Sequence, residues 1–180
     1  SQLLVDTEDL ISGTIRVIAT YALLKEWTNR NGSVVPGQVV YVVSNDDNDY
    51  DNGGFFVFID NNLSKEVPGI KMKHTKITGH WARINYKDIN VKWFGVIDDP
   101  AIDNGPRIEA ALDYGAEVNK KVRFPSFSRK IICKSSIKVP SNTTIVGDNT
   151  HIHCITPAYA LFNIIGKSNI SISNLTLDGG

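Results

Sequence analysis

From Lys130 to the end of the chain the sequence carries no helical period. Apolar runs of three to five residues recur instead: "KIIC", "SIKVP", "TTIVG", "HIHCI", "LFNIIG", "NISIS" and "NLTLDG". Ser, Asn, Gly and Pro separate them, the residues that turn a chain cheaply. Runs this short and this rich in β-branched residues read as strands. One of them is echoed. Ser141-Asn142-Thr143-Thr144-Ile145 returns 27 residues later as Ser168-Asn169-Ile170-Ser171-Ile172. A fixed offset without helices predicts a solenoid, in which each coil buries its apolar face against the next.

A solenoid has an open end, and an uncovered strand edge invites aggregation. The segment Ile108–Val118 supplies a lid, because Ile108, Ala111, Leu112 and Gly115 give it a single small apolar face. Pro106 suits its first turn, where a missing N–H costs nothing. A strand running to Phe94-Gly95 precedes this helix, so Trp93 and Phe94 should pack near it. A second strand, Lys121–Phe124, follows and stops at Pro125.

Upstream the texture is different. Thr14–Ile18 reads as a strand, and Thr20 as the N-cap of a helix whose face carries Leu23, Leu24 and Trp27. Asn31-Gly32 is its expected stop. "QVVYVV" (Gln38–Val43), Phe55–Ile59, Gly69–Lys76 and His80–Ile84 read as strands of a small antiparallel sheet. In Gly69–Lys76, Ile70, Met72 and His74 alternate with Lys71, Lys73 and Thr75, the pattern of a half-buried strand. The chain thus divides into an arm (1–13), a small α+β domain (14–88), an entry segment with a capping helix (89–125) and the first coils of the solenoid (126–180).

Nineteen basic residues balance nineteen acidic ones, so no basic stripe is available for phosphates and no nucleic-acid partner is expected. The apolar run Val17–Leu24 is far too short to span a bilayer, so no membrane insertion is expected. The polar, acidic N-terminus carries no signal-peptide pattern, and "NLTLDGG" at the end suggests a piece of a longer protein.

Several residues invite a chemical reading. Asp47, Asp49 and Asp51 in "NDDNDYDNGGFF" fall at alternate positions, as in a calcium loop. Counted from Asp47, however, the sixth position is Asn52 rather than Gly and the twelfth is Phe58 rather than Glu. A hairpin turn built by Asn and Gly is the expectation. Asp98, Asp99 and Asp103 could pair as acid and base, but a helix begins just after them, which makes a capping loop the expectation. His151 and His153 share one strand face, half a metal site with no third ligand placed by the sequence. Cys133 and Cys154 are 21 residues apart, near one coil length, and should be stacked, reduced and buried. No C-x-x-C occurs. Trp27, Trp81 and Trp93 could form a sugar platform, with core packing the expectation. Arg83 is open between an acidic partner and a neighbouring subunit. The Asn-x-Ser/Thr sequences at Asn31, Asn62, Asn142, Asn169 and Asn174 are expected of a chain rich in Asn turns. No catalytic, cofactor-binding or metal-binding residue, and no cofactor, is therefore assigned.

The order "VKWFGV" (Val91–Val96), acidic loop, "IEAAL", "VRFP" resembles the entry to right-handed parallel β-helices of the pectate-lyase-like superfamily. "VIATYALLKEW", "GQVVYVV", "DNGGFFVFID" and "GHWARI" upstream resemble the N-terminal modules of bacteriophage tailspikes and tail fibres. The likeness runs from about Thr14 to Gly180. Departures lie in the loop: Ile97-Asp98-Asp99-Pro100 stands for Gly-Asp-Gly, Asn104-Gly105 for Asp-Thr, and "FPSFSRK" lacks the Gly after Phe-Pro. The resemblance implies a mainly β fold, with a small α+β domain, a capping helix and the first coils of the β-helix. It implies a homotrimeric receptor-binding protein of the virion tail, joined to a tail, baseplate or adaptor protein. Host surface polysaccharide would be bound, and often degraded, downstream of this segment. The alternatives are the start of a bacterial secreted polysaccharide lyase or glycosidase, and a non-enzymatic adhesin.

Overall fold

The computed structural model describes residues 15–46, 52–155 and 160–179. The chain forms two compact units, Ser1–Tyr86 and Lys87–Gly180.

In the first unit, β1 (Arg16–Ile18), β2 (Val39–Val42), β3 (Gly54–Ile59), β4 (Lys71–Lys73) and β5 (His80–Ile84) make one sheet in the order β1-β2-β3-β5-β4. Only β1 and β2 run parallel. They can do so because the helix α1 (Tyr21–Glu26) and a long connection lie between them. One sheet face carries Ile18, Val40, Val42, Phe56, Phe58, Met72 and Trp81, which pack with Tyr21, Leu24 and Val34 into the core. The alternation expected for Gly69–Lys76 is realised: Ile70, Met72 and His74 are buried while Lys73 and Thr75 are exposed.

The helix α1 departs from expectation in two ways. Thr20 does cap it, its Oγ1 accepting from Leu23 N. The packed face is Tyr21 and Leu24, three apart, which leaves Leu23 at 55% exposure. The helix also ends at Glu26, because Trp27 turns to extended backbone. Asn31-Gly32 builds a separate turn, with Gly32 at φ 77° and its N–H donating to Asn29 O.

In the second unit the strands are parallel and stacked. β10 (Thr143–Cys154) lies between β12 (Ile170–Gly179) on one side and β7 (Val122–Phe124) and β8 (Ile131–Cys133) on the other. β6 (Ile89–Asn90) extends this stack beyond β7, and β9 (Ile137–Lys138) pairs with β11 (Phe162–Asn163) as a second wall. These are the opening coils of a parallel β-helix, so the fold is mainly β, as expected. The echo is real: Thr143 pairs with Ile170 and Ile145 with Ile172.

Two sequence boundaries shift. "TTIVG" and "HIHCI" form one long strand, as do "NISIS" and "NLTLDG". Each bends at an asparagine in the left-handed region, Asn149 at φ 58° and Asn174 at φ 57°, a conformation Asn tolerates better than most residues. The strand expected to reach Phe94 stops at Asn90. Its side chain accepts from Lys92 N and starts a 3-10 turn, Val91–Phe94, closed by Gly95 at φ 86°.

The helix α2 (Gly105–Val118) begins with Pro106 in its first turn. Ile108, Ala111, Leu112, Tyr114 and Gly115 are buried, and Phe94 meets Tyr114 at 6.4 Å between ring centroids. Gly115 is needed for closeness: a Cβ there would lie 2.5 Å from Val122 Cγ2 and 3.1 Å from Lys120 O. At the other end β12 leaves Ile172 38% and Leu177 43% exposed, and Ile165, in the turn before it, 86%.

Candidate functional site

The acidic loop before α2 spends its carboxylates on backbone amides. Asp98 Oδ2 accepts from Arg129 N at 3.0 Å, and Asp99 Oδ1 from Ala101 N at 2.9 Å. Asp103 Oδ1 accepts from both Gly105 N (3.0 Å) and Lys134 N (2.9 Å). Asn104, fully buried, holds the N-cap position without capping. Its amide instead clasps Ile97, accepting from N at 3.0 Å and donating to O at 2.9 Å, and donates to Ile132 O at 3.1 Å. The capping role thus falls to Asp103. The loop ties the lid to the first coil through Arg129 N and Lys134 N, and each of its three carboxylates is engaged by a backbone amide.

Arg83 is buried and held from several sides. Its Nε donates to Gly69 O (2.6 Å) and its Nη1 to Gly53 O (2.8 Å). Its Nη2 donates to Asn52 O (2.9 Å) and to Tyr21 Oη (2.6 Å). The guanidinium stacks 4.7 Å from the Phe56 ring centroid. Burial lowers its pKa, and the Tyr21 contact opposes that shift. Three carbonyl oxygens and the Tyr21 hydroxyl thus stabilise the buried guanidinium. Gly54 has no side chain because the guanidinium passes where a Cβ would stand. Gly54 thus makes room for Arg83, and Gly53 supplies one of its acceptor carbonyls. Asp47, Asp49 and Asp51 lie outside the described residues. Asp46 accepts from Ala22 N at 2.7 Å, at the start of α1.

The tryptophans do not form a platform. Trp81 is fully buried in the core, with Phe58 at 5.2 Å and Trp27 at 6.1 Å between centroids. Trp93 sits half-buried in the 3-10 turn of the other unit. Cys133 and Cys154 face each other across the β8–β10 pairing, both buried and both free thiols. Burial, then Asp103 and Cys154, push the Cys133 thiol up to about 12, so thiolate chemistry is suppressed.

The side chains that the fold does bring together are His151, His153, Asp178 and Lys130. His151 Nε2 lies 2.6 Å from Asp178 Oδ2, and His153 Nδ1 meets the other carboxylate oxygen. Lys130 Nζ joins them at 3.3 Å. The His153 contact leads the lowering of the Asp178 pKa to about 2, against partial desolvation and with help from His151 and Lys130. Asp178 is the third group the sequence reading lacked. The 27-residue echo would have placed it opposite His151, and a register shift after Val146 moves it opposite His153. The carboxylate is already shared between the two rings, and no group of three or more His, Cys, Asp or Glu among the described residues is arranged to hold a metal ion. The cluster works as a clasp between consecutive coils. A cleft of about 500 Å³ beside α2, also unforeseen, is lined by Glu109, Asp113, Lys138, Asn163 and Lys167. Glu109 Oε1 there accepts from Lys138 N at 2.7 Å.

Two of the sequon asparagines, Asn142 and Asn169, build corners of the coils. Asn142 (φ 61°) and Asn169 (φ 56°) are stacked at equivalent corners, with Asn169 Nδ2 donating to Asn142 Oδ1 at 2.9 Å.

A small mixed sheet followed by a helix-capped stack of parallel coils is a specific order of parts. It recurs in the tailspike of Acinetobacter baumannii phage AM24, with a TM-score of 0.73, 18% identity, and coverage of 90% of this chain and 28% of that one. The fold is one shared with part of a phage tailspike. The tailspike gp49 of A. baumannii bacteriophage Fri1, described as a capsular polysaccharide depolymerase, matches with a TM-score of 0.70 at 14% identity, over 91% of this chain and 33% of its own. A bacterial protein, Pantoea stewartii WceF, a glycan biofilm modifying enzyme with a tailspike-like parallel β-helix, gives 0.56 at 19% identity, over 91% of this chain and 25% of its own. The chain therefore spans about a quarter to a third of the length of these three proteins. No protein-family model and no curated protein sequence matches it. No helix among the described residues is long and apolar enough to cross a membrane.

Proposed function

We propose that this chain is the N-terminal part of a phage tailspike or tail fibre. Residues 14–88 form the attachment or neck domain, 89–125 the capped entry and 126–180 the first coils. The observation that carries the reading is the order of parts shared with the AM24 tailspike across 90% of the chain. The apolar residues left open along β12 support a further coil stacked there. The full-length protein is a homotrimer of the virion tail, held to a tail, baseplate or adaptor protein. Its downstream coils bind host surface polysaccharide and degrade it.

The residues of this segment build and join coils, and catalysis lies beyond them. Asp98, Asp99 and Asp103 hold backbone amides, and His151, His153 and Asp178 hold one another. The test is an assay on capsule or lipopolysaccharide. The full-length protein should depolymerise its host glycan, and the 180-residue chain should release no reducing ends and no unsaturated sugars. Turnover by this chain would overturn the assignment of chemistry downstream.

The likeness to WceF favours a second reading, the start of a bacterial polysaccharide-modifying enzyme. Binding of the first unit to phage tail proteins separates the two: a tailspike segment binds them and a bacterial enzyme does not.

A further inference from the structure

Three Asn-Gly pairs occur in the chain: Asn31-Gly32, Asn52-Gly53 and Asn104-Gly105. A glycine leaves the backbone nitrogen after the asparagine unshielded and conformationally free. That nitrogen can add to the side-chain amide carbon of the asparagine and close a succinimide. The fold treats the three pairs differently.

Asn104 is closed to this chemistry. It is fully buried, its amide is held by Ile97 and Ile132, and Gly105 N already donates to Asp103 Oδ1 at 3.0 Å. Asn52 is also shut away from water, at 1% exposure. Neither its Oδ1 nor its Nδ2 has a hydrogen-bond partner, so nothing there stabilises charge on Oδ1.

Asn31 stands apart. It is exposed, on the turn between α1 and β2. A Cβ at Gly32 would meet nothing within 4 Å, so the turn is open on that side. The Asn31 Oδ1 accepts two hydrogen bonds, from Ser33 N at 3.1 Å and from Ser33 Oγ at 2.8 Å. Donors at such distances stabilise an oxyanion. When Gly32 N adds to Asn31 Cγ, the carbonyl electrons move onto Oδ1, where both donors already sit. Gly32 N–H itself donates to Asn29 O at 2.9 Å. That is a single bond in a surface turn, and such bonds open in local fluctuations.

We propose that Asn31 is a self-modification site, at which the side-chain amide cyclises onto Gly32 N with Ser33 as the positioning residue. A buffer base takes the Gly32 N proton, the nitrogen bonds to Asn31 Cγ, the Cγ–Nδ2 bond breaks, and Nδ2 leaves as ammonia. Water then opens the imide at either carbonyl and leaves aspartate or isoaspartate at position 31. Either product adds a negative charge to the turn. Isoaspartate also lengthens the main chain where Asn29 N and Asn29 Nδ2 both donate to Ser33 O, which loosens the path from α1 to β2.

The experiment incubates the 180-residue chain in mildly alkaline buffer, folded and, in parallel, unfolded in urea. Peptide mass spectrometry follows deamidation at the three pairs. In the folded chain Asn31 should convert at least about ten-fold faster than Asn52 and Asn104, the margin of a barrier ~1.4 kcal/mol lower. In urea the three rates should converge. Ser33→Ala should slow Asn31 about three-fold or more in the folded chain and not in urea, a smaller effect than the ~100-fold of an enzyme's oxyanion donor because this turn is exposed. Ser33→Thr keeps the hydroxyl and should restore the parent rate. Equal rates at the three pairs in the folded chain overturn the inference. So does a folded chain in which Asn31 stays intact while the unfolded chain converts, because the bond to Asn29 O then withholds the nucleophile. A Ser33→Ala chain with the parent's urea midpoint and the parent's rate at Asn31 overturns the role of Ser33.

Discussion

The two units hold themselves together by opposite means. In the first, one buried group makes ties that occur once: Arg83 reaches back to Gly69, Gly53, Asn52 and Tyr21, contacts spanning 14 to 62 residues of sequence. In the second, the ties repeat from coil to coil. Asn169 holds Asn142, Ser168 N donates to Ser141 Oγ, and His153 holds Asp178, at separations of 25 to 27 residues. A unit organised by one central charge should fail as a whole. A stack of nearest-neighbour contacts should lose stability coil by coil.

The largest effect should come from Arg83. Replacing it with Leu removes the donors to Gly69 O and Gly53 O at a buried site, while Tyr21 Oη and Asn52 O keep each other, a loss of about 3 kcal/mol or more. Calorimetry should show the first unit's transition lost or greatly lowered, with the second unit's transition retained. Arg83→Lys should rescue little, since one ammonium cannot span the fork's acceptors.

Gly115→Ala should come next. Helix propensity alone favours Ala by ~1 kcal/mol. The new Cβ would press on Val122 Cγ2 and Lys120 O, both short-tethered or backbone, and overpacking of this kind costs ~1–3 kcal/mol. Net destabilisation of the second unit is expected in urea titration. A stabilised variant would mean that the lid is not seated closely on the coil.

Asn169→Ala should cost about 1 kcal/mol, since Ala tolerates the left-handed corner poorly and loses the bond to Asn142. Faster amide exchange should be confined to β12 and its corner. If β1–β5 respond as well, the contrast between the units fails.

The smallest effect concerns Asp178. Its pKa in the fold, about 2, lies below the ~3.9 of an unfolded aspartate. The ionised form is therefore favoured by folding. Its contribution is complete above about pH 4 and is lost as the pH falls towards 2. Comparing urea midpoints from pH 5 to pH 2, Asp178→Asn should show a shallower acid decline than the parent chain. Parallel curves would mean the clasp contributes nothing.

Much of the fold was legible because its signals are local. Short strands, Asn corners and the 27-residue echo need only neighbouring residues to be read, as does the apolar face of α2. The boundary errors came from side chains that act at a distance or redirect the backbone. Asn90 turns the chain into a 3-10 turn, and Tyr21 displaces Leu23 from the helix face. Three acceptors of Arg83 are backbone carbonyls, which leave no mark in a sequence. Asp178 was within reach, since the echo pointed to it, but the register shift after Val146 decides which histidine it faces across the ladder.

The central claim is a coil stack that is closed by α2 at one end and continues at the other. Hydrogen exchange compared between the 180-residue chain and the full-length protein tests it most directly. The account predicts that β10 amides are protected in both, while the β12 amides directed away from β10 exchange quickly in the chain and become protected in the full-length protein. Equal protection of β12 in the two proteins would contradict it.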